Sequence, residues 1–70
     1  MTLDKVRQVV EENKGVSCSF RFRGTRNQID EFRGVITETY PAIFTIQLED
    51  NKVKSFSYSD VLIENLEILR

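Results

Sequence analysis

The chain has seventy residues, which is enough for one domain near the lower size limit for independent folding. Hydrophobic residues make up 40% and charged residues 30%, a composition typical of a soluble globular protein and not of a disordered one. The net charge of −1 provides no overall attraction to nucleic acid or to a membrane surface. A core of this size leaves no room for a deep catalytic cleft.

The charges are distributed unevenly along the chain. Residues 14–33 contain five bases and two acids, whereas residues 34–70 contain three bases and six acids. This separation predicts a molecule with a basic side and an acidic side.

The residue types exclude most catalytic and metal chemistry. The sequence has no histidine and one cysteine, Cys18, so it has no histidine base, no intramolecular disulfide and no ligand set for structural zinc. It also has no phosphate loop and no dinucleotide-binding glycine pattern. We therefore expect no enzyme activity, no cofactor and no metal, and we expect Cys18 to be buried. Without an apolar run that could cross a membrane or a signal peptide, the chain is expected to be cytoplasmic.

The first segment is predicted to be a helix over residues 2–14. Thr2 is a suitable N-cap, and Gly15 follows the last helical position. The apolar residues at i, i+3 and i+7 predict one buried face, broadened by Val9; they are Leu3, Val6 and Val10.

The next segment, residues 16–23, alternates at the period of a half-buried strand. One face carries Val16, Cys18, Phe20 and Phe22, and the other carries Ser17, Ser19, Arg21 and Arg23. Residues 24–30 are predicted to form an exposed loop.

The centre of the chain is a predicted pair of strands over residues 32–48, folded at Tyr40-Pro41. Pro41 has no N–H and biases Tyr40 away from helical geometry, so both residues belong at a bend or an edge. Gly34 lies inside the first strand, where glycine typically marks a bulge or a sharp bend.

The remaining residues predict a turn over residues 49–52, followed by a strand over 53–58 with Phe56 and Tyr58 on one face. A helical turn over 59–62 and a strand over 63–69 complete the chain, and Leu66 and Ile68 point inward on this last strand. Ser59 or Asp60 is the expected cap of the helical turn. The predicted fold is mainly β: one domain over residues 1–70, with a helix over 1–14 and a five-stranded SH3-like or Sm-like small barrel over 16–69.

Four arginines are the candidate binding residues: Arg21, Arg23, Arg26 and Arg33. Arg21 and Arg23 project from one strand face about 7 Å apart. Together the four could bind a phosphate backbone or an acidic protein segment. Alternatively, they pair with Asp30, Glu31 or Glu38 and keep the sheet soluble. Tyr40 and Tyr58 are the aromatic residues expected at the surface, since the five phenylalanines are needed in the core.

Three segments resemble a known family. They are Gly34 to Phe44 (GVITETYPAIF), Ile46 to Leu48 (IQL) and Ser57 to Leu62 (SYSDVL). Together they are similar to the Veg family of low-GC Gram-positive bacteria, over essentially residues 14–69. The resemblance implies a small cytosolic SH3-like barrel without known catalysis, in a family that stimulates biofilm formation through the regulation of transcription.

The resemblance transfers no functional residue to this chain. The principal hypothesis is a non-catalytic regulatory module that binds an acidic protein surface or a transcription regulator. One alternative is nucleic-acid binding through the arginines, and another is a structural role through self-association into a homo-oligomer.

Overall fold

A computed structural model describes residues 2–24 and 28–69 of the chain. The elements in chain order are α1 (Leu3–Asn13), β1 (Ser17–Arg23), β2 (Ile29–Thr39), β3 (Ile43–Leu48), β4 (Val53–Ser57), α2 (Tyr58–Leu62) and β5 (Leu66–Leu69). This order of one helix, four strands, a short helix and a fifth strand is the predicted one. Arg26, one of the candidate binding residues, lies outside the described residues.

The five strands form one antiparallel sheet in the order β4-β3-β2-β1-β5. The mainly β class and the N-terminal helix are confirmed. The hydrogen-bonded sheet is open in the described part of the chain, with β4 and β5 as its two edges. The closed SH3-like or Sm-like barrel therefore stays a prediction.

The central pair of strands folds where the sequence predicted. β2 ends at Thr39 and β3 begins at Ile43, so Tyr40 and Pro41 lie in the connection and outside the ladder. The Tyr40 N–H donates to the Ile43 carbonyl at 2.8 Å and closes the corner. Placing proline in the connection avoids the ladder hydrogen bond that its missing N–H could not make.

Gly34 has a different role from the predicted bend. The irregularity of the β2–β3 ladder lies between Ile36 and Glu38 and not at Gly34. At Gly34, an added Cβ would stand 2.6 Å from Ile46 Cγ2 and 2.7 Å from the Gln47 carbonyl oxygen. Glycine is required here because β3 approaches the Gly34 backbone too closely for any side chain.

The helix α1 lies against the sheet through a shorter apolar face than predicted. The Thr2 hydroxyl accepts from the Lys5 N–H at 3.3 Å and caps the helix as expected. Val6 and Val10 are fully buried, but Leu3 is 44% exposed. The buried face continues to Asn13 at the C-terminal end of α1 instead, so the prediction for Leu3 is wrong.

The core lies on one face of the sheet beneath α1 and α2. The alternation of β1 is confirmed at Cys18 and Phe20, which are buried, and at Phe22, which packs against them. Val16 is exposed because β1 begins one residue later and Val16 belongs to the turn after α1. The core also contains Ile36, Phe44, Ile46, Phe56, Tyr58 and Leu66.

The short helix α2 is capped two residues before Ser59, the earlier of the two predicted caps. The Ser57 hydroxyl accepts from the Asp60 N–H at 3.2 Å, and the Asp60 carboxylate accepts from the Ser57 N–H at 3.3 Å. This reciprocal pair is a capping box. The predicted caps, Ser59 and Asp60, therefore lie inside the helix, and β4 ends at Ser57. β5 is also shorter than predicted and begins at Leu66.

Candidate binding surface

The candidate surface is the side of the sheet opposite the core, where β5, β1 and β2 lie side by side. We call this surface the outer face. Strand alternation directs Arg21 and Arg23 of β1 to it, and the registers place Glu31 of β2 and Glu67 of β5 on either side of Arg21. The outer face consists of Ser19, Arg21, Arg23, Ile29, Glu31, Arg33, Glu67 and Leu69.

Arg21 and Arg23 form a small ion-pair network. Arg21 Nε lies 3.3 Å from Glu31 Oε1, and Arg21 Nη1 lies 3.8 Å from Glu67 Oε2. Arg23 Nη2 lies 3.6 Å from Glu67 Oε1. The sequence suggested Glu31 as a partner but missed Glu67. That carboxylate reaches the arginines only because β5 pairs with β1, a non-local contact that no local pattern reveals.

Arg33 joins the same face one strand away. Its Nη1 donates to Ser19 Oγ at 3.1 Å, and its Nε lies 3.8 Å from Glu49 Oε1. The structure thus brings the three described candidate arginines together, as predicted, but places carboxylates among them. The separate basic side expected from the charge distribution along the chain is therefore not formed on this face.

These ion pairs are mostly solvent-exposed. The Arg21 side chain is 37% exposed and the Glu67 side chain 31% exposed, whereas the Arg33 and Glu49 side chains are both more than half exposed. Exposed pairs of this kind contribute about 0–1 kcal/mol each to stability. Their main effect is on the electrostatic character of the outer face, which presents both signs of charge to any partner.

Tyr40 is exposed but lies apart from the arginines. It follows the far end of β2, in the corner beside Pro41, and is 50% exposed. The arginine network lies toward the opposite end of that strand, around Glu31. The structure does not bring Tyr40 into the arginine network.

Tyr58 is buried, so the prediction that it is a surface residue is wrong. It begins α2 directly after β4, and its ring packs at 5.5 Å from the ring of Phe44. The Arg7 guanidinium lies 5.5 Å from the centre of the Tyr58 ring. Burial raises the pKa of the Tyr58 phenol above its ordinary value, and Glu11 raises it further against the opposing effect of Arg7. Tyr58 is a core residue that also anchors α1.

Cys18 is buried, as expected, with its Sγ 3.9 Å from Asn13 Oδ1. Among residues 2–24 and 28–69 there is no group of three or more histidine, cysteine or carboxylate residues placed to hold a metal ion. Neither described helix is long and apolar enough to span a membrane.

The fold and the outer face define a class: a small antiparallel sheet with a capping helix and a surface of mixed charge. The chain belongs to the family described as biofilm formation stimulator VEG, whose family model matches residues 1–69. The resemblance read from the sequence is thereby confirmed. No curated protein matches the chain. The family description names an effect on biofilm formation and not a catalysed reaction.

Proposed function

We propose that this chain is a non-catalytic regulatory module that binds another protein, and that this contact is how it acts on transcription in biofilm formation. The family supplies the link to biofilm formation. The choice of a protein partner over nucleic acid rests on the ion pairs that the candidate arginines form with carboxylates.

The observation that carries the proposal is the pairing of the three described candidate arginines with carboxylates. Arg21 contacts two carboxylates, and Arg23 and Arg33 contact one each. A phosphate backbone would have to displace or repel these acids, because each is held within 4 Å of the guanidinium that the phosphate needs. A protein surface can satisfy both signs of charge at once. The outer face is therefore better suited to a protein partner, with Arg21, Arg23 and Arg33 as its basic contacts. Arg26, which lies outside the described residues, stays a fourth candidate contact from the sequence.

The shape of the sheet supports the finer proposal of an SH3-like fold. β1 and β4 are separated by two strands, so in a flat sheet they would lie about 14 Å apart. The rings of Phe22 on β1 and Phe56 on β4 nevertheless approach to 5.4 Å between centroids. Phe32 on β2 also stacks on Phe56 at 5.9 Å. The sheet must coil strongly around these rings to bring them together, which is the curvature that small barrels use.

Affinity capture from the cytosol of a producing bacterium tests the function. The wild-type chain is compared with Arg21→Gln/Arg23→Gln, and bound protein and bound nucleic acid are both quantified. We expect the wild type to enrich specific proteins and the double variant to lose them. Lys5→Gln/Lys52→Gln is the matched control, because it removes the same charge from positions outside the outer face and should retain the proteins.

Each other outcome has a definite meaning. If nucleic acid is recovered, and the slope of log affinity against log salt concentration becomes about one unit less steep for each arginine removed, the partner is a phosphate backbone and not a protein. Self-association in sedimentation without any captured protein would favour the structural role. Capture of the same proteins by the wild type and the double variant would exclude Arg21 and Arg23 as contacts.

A further inference from the structure

The two edges of the sheet are unequally protected against pairing with another strand. Edge strands expose unpaired backbone groups, and proteins shield them with inward-pointing charges, caps or covering elements. On the β4 edge, Lys54 turns inward over the Phe32 ring at 5.4 Å, and the Ser57 N–H is occupied by Asp60. On the β5 edge the inward residues are Leu66 and Ile68, both apolar.

The hydrogen-bond pattern identifies which groups of β5 are available. The Arg23 N–H donates to the Asn65 carbonyl at 2.7 Å, which makes this pair a hydrogen-bonded pair of the antiparallel ladder. Hydrogen-bonded and non-bonded pairs alternate, so Glu67 also directs its backbone groups toward β1. The N–H and C=O groups of Leu66 and Ile68 consequently point away from the sheet. No described residue bonds to them.

An apolar groove runs beside this edge. It has a volume of ≈ 320 Å³ and lies between β5 and the two helices, where Val9 of α1 and Val61 and Leu62 of α2 line it. The charged residues that line it are both acids, Glu64 and Glu67. A strand added to β5 would direct alternate side chains into this groove, next to Leu66 and Ile68.

A second copy of the chain fits this edge poorly. Opposite residues of antiparallel strands share a face, so all four free groups are bonded only if Leu66 of one copy faces Ile68 of the other. That register places Glu67 directly opposite Glu67 of the second copy, and like charges at this position are unfavourable.

We propose that the β5 edge binds an extended segment of a partner protein with the pattern apolar–basic–apolar, which joins the sheet as a sixth strand. The two apolar residues lie opposite Leu66 and Ile68 and enter the groove, and the basic residue lies opposite Glu67. This inference rests on the proposed protein-binding function and adds a second contact, the β5 edge beside the outer face, together with the sequence pattern that it binds. Main-chain hydrogen bonds supply affinity, and the groove and Glu67 supply specificity.

The proposal is tested with capped eight-residue peptides and the ¹⁵N-labelled chain. One peptide has Val-Lys-Val at its centre, the second has Val-Glu-Val, and the third is the lysine peptide with both valine amides N-methylated. We expect the lysine peptide to shift the Leu66 and Ile68 amide resonances and to slow their hydrogen exchange. Replacing lysine with glutamate converts an opposite-charge pair into a like-charge pair, so the glutamate peptide should bind about 10-fold more weakly. The N-methylated peptide should not bind.

A pair of protein variants isolates the charge. Glu67→Gln should reduce the lysine-to-glutamate preference to about 2-fold or less, because the opposing charge is gone. Glu49→Gln removes an exposed acid that pairs with Arg33 and should leave the preference unchanged. Circular dichroism verifies that both variants are folded.

Four results would overturn the assignment of the edge. The first three are equal binding of the lysine and glutamate peptides to the wild type, resonance shifts centred on Val53 and Ser55 of β4, and no shift at about 1 mM lysine peptide. The fourth, shifts confined to Arg21, Arg23 and Arg33, would reject the edge but retain protein binding on the outer face. The affinity capture described above tests protein binding separately, so failure of the function and failure of the edge assignment are distinguishable.

Discussion

Replacing Gly34 with alanine tests the close approach of β2 and β3. The new Cβ would lie 2.6 Å from Ile46 Cγ2 and 2.7 Å from the Gln47 carbonyl oxygen. Ile46 is fully buried and cannot turn away freely, and the other contact is backbone. The strands must separate locally to relieve both contacts.

The expected cost follows from this geometry. Forcing extra volume into a packed site typically costs about 1–3 kcal/mol, and two simultaneous contacts, one of them with backbone, place Gly34→Ala near 3 kcal/mol. In a domain of this size 1 kcal/mol corresponds to about 4–8 °C, so Tm should fall by roughly 12–24 °C. Thermal and urea unfolding, followed by far-UV circular dichroism, measure the change.

Gly24 provides the matched control. An added Cβ there would meet nothing closer than the Gln28 carbonyl oxygen at 3.7 Å, which is an ordinary van der Waals contact. Gly24→Ala should therefore leave Tm nearly unchanged. If Gly34→Ala unfolds within a few degrees of Gly24→Ala, the strands are not as close at Gly34 as the structure requires, and the reasoning is refuted.

Three further substitutions test the helices and their contacts. Ser57→Ala removes the cap of α2 and should lower the free energy of unfolding in urea by about 1 kcal/mol. Ser55→Ala, two residues earlier on β4, should lower it clearly less. Equal effects would contradict the capping role. Burial raises the pKa of Tyr58, so at high pH the folded state keeps a proton that the unfolded state loses. The free energy of unfolding should therefore fall as the pH rises above about 10. Tyr58→Phe should reduce this fall, which denaturation at pH 9 and pH 11 measures. Arg7→Ala removes the 2.6 Å hydrogen bond to the Pro41 carbonyl and the contact with the Tyr58 ring. The free energy of unfolding should fall by about 1–2 kcal/mol. Arg7→Lys should recover only part of this loss, and full recovery would show that charge alone matters.

Local sequence patterns predicted the helices and strands because the features that define these elements depend on residues close together in the chain. The alternation of β1, the proline corner after Thr39 and the Thr2 cap are of this kind. The prediction that Leu3 is buried is wrong because helical spacing defines one face of α1 but not how far along that face the sheet extends. The prediction for Tyr58 is wrong because it assigns the core to the five phenylalanines alone, whereas the Tyr58 ring also packs there, beside Phe44.

The composition of the outer face was less predictable for a different reason. The spacing of Arg21 and Arg23 placed both on one side of β1, which needed only strand geometry. The carboxylate between them, Glu67, arrives from a strand more than forty residues away. Which strand becomes the neighbour of β1 is a matter of topology, and no local periodicity encodes it. The charge distribution along the chain therefore does not reveal that an acid from β5 lies among the arginines.

The pairing of β1 with β5 also predicts that the sheet has an early-folding and a late-folding part. β1 to β4 are joined in sequence by hairpins, whose short loops close at low entropic cost. β5 must close a loop of more than forty residues to reach Phe22 and its neighbours. We therefore expect β1 to keep one edge unpaired until residues 66–69 arrive, and Arg21 to meet Glu31 before it meets Glu67. Substitutions confined to β5 should accelerate unfolding with little effect on the folding rate, whereas substitutions in the β2–β3 hairpin should change both rates.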